Sequence, residues 1–188
     1  MPLQSSTTES DRQDPVIIPA CRERLGAMGE RRIRVSLDDQ QLVLTDGGAV
    51  LKSYRVSTSK YGAGEQSGSY CTPRGRHVVR AMIGSGAPAG TVFRGRRKTG
   101  EIYSDKLASQ HPDRDWVLSR ILWLSGTEVG KNRLGDVDSM RRFIYIHGTP
   151  ARHKLGTPAS IGCIRMSDED VVELYDMVSP GTVVDIEG

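Results

Sequence analysis

One segment near the C-terminus constrains the fold of this chain more than any other, because it joins a strand pattern to a reactive side chain. Residues Phe143–His147 form an apolar run of β-branched and aromatic residues that ends on a histidine. A polar loop with two glycines and two prolines follows, and Cys163 then stands between Gly162 and Ile164. We predict a strand that ends at His147, followed by a loop that returns Cys163 to its side.

The residue types in this segment suit a cysteine nucleophile. A free thiol with a pKa of about 8.5 is mostly protonated at neutral pH, so it needs a neighbouring imidazole such as His147 to take its proton. The amides of Gly162 and Cys163 could form an oxyanion hole. Arg165 follows two residues later, and its guanidinium suits a carboxylate. The set predicts acyl transfer from a substrate that carries a free carboxylate.

These residues resemble the signature of the YkuD-type L,D-transpeptidase catalytic domain. The signature is a strand ending in His-Gly-Thr, a loop, and then Ser-x-Gly-Cys-Ile-Arg-Met, which here runs from Ser160 to Met166. The resemblance extends from Arg32 to Ile186 and includes a turn, Cys71-Thr72-Pro73-Arg74-Gly75, that the family places near its active site. Ile161 stands where many members have a histidine, which bears on the subclass and not on the nucleophile.

The resemblance implies a substrate and a mechanism. The substrate would be a peptidoglycan-derived tetrapeptide or muropeptide, cleaved between its third residue, a diamino acid, and a terminal D-alanine. Cys163 would attack that carbonyl and form a thioester, while His147 would take the thiol proton and the carbonyl of Gly148 would hold the imidazole. Arg165 would bind a substrate carboxylate. The resemblance implies no metal and no cofactor.

Other residues are candidates for contacts around this centre. Ser160 could form a hydrogen bond in the site or shape the turn, and Tyr145 is a candidate for substrate binding. His77 lies in a predicted strand, where it could face the cleft or be structural. His153 could contact substrate. Its spacing of six residues from His147 is unfavourable for two ligands of one metal ion.

Several functions stay open at this point. If water hydrolyses the thioester, the protein is an L,D-carboxypeptidase, which is the interpretation we prefer. If an amine attacks the thioester, the protein is a cross-linking L,D-transpeptidase. A non-catalytic domain that binds peptidoglycan peptides is a third reading. A nucleic-acid module based on the basic run Arg94–Lys98 is the weakest, because the net charge is only +3 and a solvated turn explains the run.

Composition limits the architecture and the compartment. The chain of 188 residues suits one domain, with 37% hydrophobic residues, 5% aromatics and 21 glycines that favour a β-rich fold with many turns. Three cysteines without a CxxC pair argue against a disulfide framework. No apolar run suits a membrane span or a signal peptide, so we expect the cytoplasm, or the periplasm if Met1 replaces a removed leader. The oligomeric state is not predicted.

The predicted fold class is mainly β, a YkuD-like sandwich or sheet with one short helix after the nucleophile motif. Residues 1–31 are predicted to be disordered or partly helical, and residues 32–188 to form the catalytic domain. The region Asp105–Asp115 is expected to be a polar connection. Strands are predicted over Arg32–Leu37, Gln41–Thr45, Ala49–Ser57, Arg76–Ile83, Trp116–Leu124 and Thr182–Ile186, with a helix from Ser167.

Overall fold

The computed structural model describes residues 30–188. The predicted disordered or helical segment therefore lies outside the described residues, apart from Glu30 and Arg31. Within the described part, the strands are β1 (Arg31–Ser36), β2 (Gln41–Asp46), β3 (Ala49–Arg55), β4 (Gly75–Ile83), β5 (Thr91–Arg94), β6 (Arg97–Ile102), β7 (Val117–Gly126), β8 (Tyr145–Thr149), β9 (Ile164–Ser167) and β10 (Val183–Glu187). The helices are α1 (Asp105–Gln110) and α2 (Asp168–Met177). The predicted mainly β fold is confirmed.

All ten strands belong to one sheet. Its main path runs β3-β2-β1-β10-β4-β7-β5-β6, and β8 and β9 branch from β7. The pairs β1–β10 and β8–β9 are parallel, and the other pairs are antiparallel. A parallel pair needs a connection long enough to return the chain to the same end. The loop between β8 and β9 makes that return and carries Ser160 and Gly162 to the start of β9.

The main core lies between strands of this sheet and helix α2. Alternate residues of the strands are buried there, as in Ile33 and Val35 of β1, because successive side chains of a strand point to opposite faces. Helix α2 begins after Ser167, whose side chain accepts a hydrogen bond from the backbone N–H of Asp170. Its buried residues Val171 and Leu174 pack into the same core. The predicted helix after the nucleophile motif is confirmed.

Two local expectations were wrong. The polar connection at Asp105–Asp115 contains the short helix α1, which begins after Ser104, where that side chain caps the N–H of Leu107. A helix of six residues with none of them buried is too short to show a repeating apolar stripe, so periodicity could not reveal it. The strand predicted from Phe143 begins at Tyr145, because Phe143 has a positive φ of 58° that is incompatible with a strand.

None of the helices in residues 30–188 is long and apolar enough to cross a membrane.

Candidate active site

The register between β8 and β9 places the two predicted catalytic side chains on one face of the sheet. Ile146 lies opposite Ile164, and both are fully buried in the main core. Side chains alternate along a strand, so the neighbours of these isoleucines point to the other face. That face carries Tyr145 and His147 on β8, and Cys163 and Arg165 at the start of β9. The core residue Ile121, opposite His147 on β7, belongs to the small apolar cluster that Cys163 packs against.

His147 is held in one orientation by its own strand. Its side chain is buried, with only 1% of the residue exposed, and Nδ1 donates a hydrogen bond of 2.9 Å to the carbonyl of Gly148. A carbonyl can only accept, so the proton is on Nδ1 and Nε2 is left to act as a base. Burial lowers the pKa of His147, while the charge of Asp115 and this hydrogen bond oppose the shift. The imidazole is therefore neutral near neutral pH.

The thiol of Cys163 is also neutral in the resting protein. It is half-buried, and Sγ donates to the carbonyl of Phe143 at 3.4 Å. Burial raises the pKa of Cys163 to about 12, and the backbone N–H of Tyr145 and the charges of Arg165 and Arg142 act in the opposite direction. The resting pair is therefore a thiol beside a neutral imidazole. A thiolate has to be generated during the reaction and is not stored beforehand.

The turn before Cys163 depends on Ser160 and Gly162. Gly162 has φ of 128°, a conformation that residues with a side chain rarely adopt. Ser160 Oγ donates to the carbonyl of Cys163 at 2.6 Å and accepts from the N–H of Gly162 at 3.2 Å. The predicted oxyanion donor Gly162 thus already has a partner. Within residues 30–188, the backbone N–H of Cys163 has no such bond, so it is the free donor in this turn.

Arg165 has an internal partner that the sequence did not indicate. Its Nη2 lies 2.8 Å from Oδ1 of Asp115, which precedes β7. The Arg165 side chain is only 12% exposed, whereas that of Asp115 is 44% exposed. The guanidinium predicted to bind a substrate carboxylate therefore binds a carboxylate of the protein. The two residues are fifty positions apart, so no local pattern could have paired them.

The structure does not bring His77 into the site. It is fully buried in β4, Nδ1 donates to the carbonyl of Gly75 at 3.0 Å, and Nε2 lies 2.8 Å from Ser139 Oγ. Both ring nitrogens are thus engaged, Nδ1 within β4 and Nε2 with the segment after β7. Burial lowers the pKa of His77. A substrate contact would require exposure of this ring, so the structural alternative is the one observed.

His153 was a candidate for a substrate contact, and its spacing from His147 was unfavourable for a pair of metal ligands. His153 lies in an exposed 3-10 turn, Arg152–Lys154, in the loop between β8 and β9. Across residues 30–188, no group of three or more His, Cys, Asp or Glu side chains is arranged to hold a metal ion.

The predicted turn at Cys71-Thr72 lies against the nucleophile loop. Thr72 Oγ1 donates to the carbonyl of Gly162 at 3.0 Å. The guanidinium of Arg142 reinforces this contact, because it donates to the carbonyls of Cys71 and Glu65 at 2.6 and 2.7 Å. Arg142 also donates to the carbonyl of Gly64. Sequence reasoning missed Arg142, which sits in an irregular stretch before β8 without a motif of its own.

The basic run Arg94–Lys98 is not only a solvated turn. It spans the hairpin between β5 and β6, and three of its cationic side chains are exposed, those of Arg94, Arg97 and Lys98. The fourth, Arg96, turns inward and donates from Nη1 to the Tyr145 hydroxyl at 2.8 Å. Its guanidinium carbon also lies 4.6 Å from the ring centroid of Trp123 and 4.7 Å from that of Phe143. The hairpin tip therefore covers one side of the site.

Solved structures share this fold. An L,D-transpeptidase from Mycobacterium smegmatis is 22% identical, with a TM-score of 0.52, over 85% of this chain and 59% of that one. L,D-transpeptidase 3 from Mycobacterium tuberculosis, solved in complex with a faropenem-derived adduct, is 17% identical with a TM-score of 0.53, over 85% of this chain and 60% of that one. The chain therefore spans about 60% of the length of each of these proteins.

Sequence comparison points to the same family. A curated protein, the probable L,D-transpeptidase YcfS of Escherichia coli (strain K12), is 46% identical over 41 residues, which are 22% of this chain and 13% of that protein. The family model YkuD, described as the L,D-transpeptidase catalytic domain, matches residues 30–186. That match covers nearly all of the part whose fold and site are described above. The chain belongs to the YkuD family of L,D-transpeptidase catalytic domains.

Proposed function

We propose that this protein is a cysteine acyltransferase that acts on peptidoglycan stem tetrapeptides. Cys163 attacks the carbonyl of the third residue, forms a thioester with it and releases the terminal D-alanine. The single observation that carries the proposal is the placement of Cys163 and His147 on one face of neighbouring strands, with His147 Nδ1 bound to the carbonyl of Gly148. This arrangement leaves Nε2 as the base beside a thiol.

The protonation states of Cys163 and His147 support a concerted attack. Because thiol and imidazole are both neutral at rest, His147 takes the proton as Sγ attacks, and the N–H of Cys163 stabilises the developing oxyanion. Asp115 raises the pKa of His147 and so favours the imidazolium that forms. When the tetrahedral intermediate collapses, the proton passes to the leaving amine of D-alanine. The thioester and a neutral imidazole remain.

We propose water as the acceptor, which makes the protein an L,D-carboxypeptidase. The covering of one side of the site by Arg96 supports this choice, because water needs far less space than a second stem peptide. His147 would take a proton from water as its oxygen attacks the thioester, and would return that proton to the departing sulfur. Such a hydrolase would trim muropeptides from tetrapeptide to tripeptide, and we propose the cytoplasm as its compartment. Recovery of the native protein in the periplasmic fraction of its host would contradict that location.

The test is product analysis on a disaccharide-tetrapeptide by liquid chromatography and mass spectrometry. We expect tripeptide and free D-alanine from the unmodified protein, no product from Cys163→Ala, and unchanged product from Cys71→Ala, a matched control at the other described thiol. A cross-linked dimer or an exchanged terminal amino acid, formed when an amine is supplied, would replace hydrolysis by transpeptidation. No product under either condition would contradict the enzymatic proposal for this substrate.

A second measurement separates a slow enzyme from a binding domain. A carbapenem carries its own reactive carbonyl, so its acylation of Cys163 uses His147 as the base and does not require a preformed thiolate. We expect a mass increase of one carbapenem on the intact protein, absent from Cys163→Ala and slowed in His147→Gln. A protein that stays unlabelled while folded would be a binder with a decayed site.

A further inference from the structure

The cations around Cys163 differ in how much hydrogen-bonding capacity they have left. Arg165 is paired with Asp115, and Arg142 donates to three backbone carbonyls in addition to Ser69 Oγ. Arg96 makes one hydrogen bond, to the Tyr145 hydroxyl, and otherwise stacks on aromatic rings. Among residues 30–188, no carboxylate forms an ion pair with Arg96. Arg96 therefore lacks a carboxylate partner, unlike Arg165, and makes fewer hydrogen bonds than Arg142.

The position of Arg96 links it to the reacting sulfur. Phe143, one of the two rings under the guanidinium, provides the carbonyl that accepts the hydrogen bond from Cys163 Sγ. Tyr145, which accepts from Arg96, packs in the same apolar cluster as Cys163. Trp123 lies opposite Tyr145 in the register of β7 and β8. A peptide lying over Cys163 would therefore meet the guanidinium of Arg96.

The backbone at the hairpin tip forms a two-residue turn, Gly95-Arg96, between the paired residues Arg94 and Arg97. Gly95 and Arg96 both have positive φ, of 54° and 66°. Positive φ at both central residues is what a two-residue hairpin turn of type I′ requires. The conformation turns the Arg96 side chain inward while Arg97, the next residue, is exposed.

We propose that Arg96 is a specificity-determining residue that binds a carboxylate of the donor peptide and holds that peptide over Cys163. The inference rests on the proposed function, which supplies a substrate with two candidate carboxylates: the one on the terminal D-alanine and the one on the side chain of a diaminopimelate-type third residue. The present partners of the Arg96 guanidinium are a neutral hydroxyl and aromatic rings. A substrate carboxylate would offer it a charge-assisted, bidentate hydrogen-bonded pair instead. The charge of Arg165 is already compensated by Asp115, whereas no carboxylate among residues 30–188 pairs with Arg96.

Calorimetric titration of peptides into Cys163→Ala protein tests the proposal without requiring turnover. The ligands are the tetrapeptide, its C-terminal carboxamide, and a tetrapeptide with lysine in place of the diaminopimelate-type residue. Each is titrated into Cys163→Ala alone and into the same protein with Arg96→Gln or with Arg97→Gln, the matched control on the same hairpin. Thermal unfolding of each variant verifies that it is folded.

We expect Arg96→Gln to weaken tetrapeptide binding at least about tenfold, as for the loss of a charge-assisted hydrogen bond, and Arg97→Gln to leave it unchanged. One of the two altered peptides should bind the protein with intact Arg96 more weakly than the tetrapeptide does, by the same factor. Arg96→Gln should not weaken the binding of that peptide any further. The carboxylate that this peptide lacks is then the one that Arg96 contacts. Equal weakening of all three ligands by Arg96→Gln, or no weakening, would overturn the proposal and leave the function standing. Failure of every peptide to bind would overturn both.

Discussion

The neutrality of the Cys163 thiol leads to a quantitative prediction about its reactivity. With its pKa raised from 9.0 to about 12, the thiolate fraction of Cys163 near neutral pH is lower by about a thousandfold than for a thiol of pKa 9.0. A thiolate of higher pKa is intrinsically more nucleophilic, with a Brønsted coefficient of about 0.4–0.5, which recovers roughly twentyfold. The predicted net effect is alkylation roughly fiftyfold slower than that of a free thiol.

The assay is alkylation by iodoacetamide over a range of pH, with peptide mapping to separate Cys163 from the other cysteines and glutathione as the reference. The rate at Cys163 should rise about tenfold for each unit of pH and continue to rise where glutathione has reached its plateau. The shape of the profile is the decisive observation, because restricted access to a half-buried sulfur lowers all rates alike. A plateau at or below neutral pH would show a preformed thiolate–imidazolium pair and would refute the reasoning.

Three further predictions follow from the contacts of the site and its surroundings. In Gly148→Ala, the new Cβ would lie 2.6 Å from Asp168 Oδ1 and 2.9 Å from the Leu118 carbonyl, which costs about 1–3 kcal/mol in thermal unfolding and slows carbapenem acylation by moving the carbonyl that holds His147. An unchanged melting temperature would contradict this. Asp115→Asn removes a charge that raises the pKa of both His147 and Cys163, so the rising limb of the acylation rate should shift to lower pH; a shift to higher pH would be the wrong sign. Because the pKa of His77 is lowered in the folded state, the unfolded state alone gains its proton as pH falls below about 6.5, and stability is lost there by up to about 1.4 kcal/mol per pH unit. His77→Gln should flatten that part of a urea-unfolding series, and an equally steep loss would exclude His77 as its cause.

The sequence was most informative where local chemistry and pattern coincide. The histidine at the end of an apolar run and the Gly-Cys pair after a polar loop predicted that the loop returns Cys163 to the side of His147, although no strand was predicted where β9 lies. The hydroxyl of Ser167 and the acidic residues after it predicted the start of α2, since capping is a local interaction.

What the sequence could not indicate depends on contacts between distant segments. Asp115 pairs with Arg165 across fifty positions, and Arg96 reaches Tyr145 from a hairpin whose composition suggested a solvated turn. His77 is structural because its side chain is buried. A single histidine in a strand pattern does not indicate which face of a branched sheet its side chain will occupy. The sequence also could not show which amide of the oxyanion turn is free. In the structure the N–H of Gly162 donates to Ser160 Oγ, which leaves the N–H of Cys163.

The central claim is that Cys163 becomes acylated by the donor peptide. Rapid-quench mass spectrometry of the intact protein mixed with tetrapeptide tests it most directly. We predict a transient adduct with the mass of the tetrapeptide less D-alanine, mapped to Cys163 and absent from Cys163→Ala. Release of D-alanine without any adduct, or an adduct mapped to Cys71, would contradict the account.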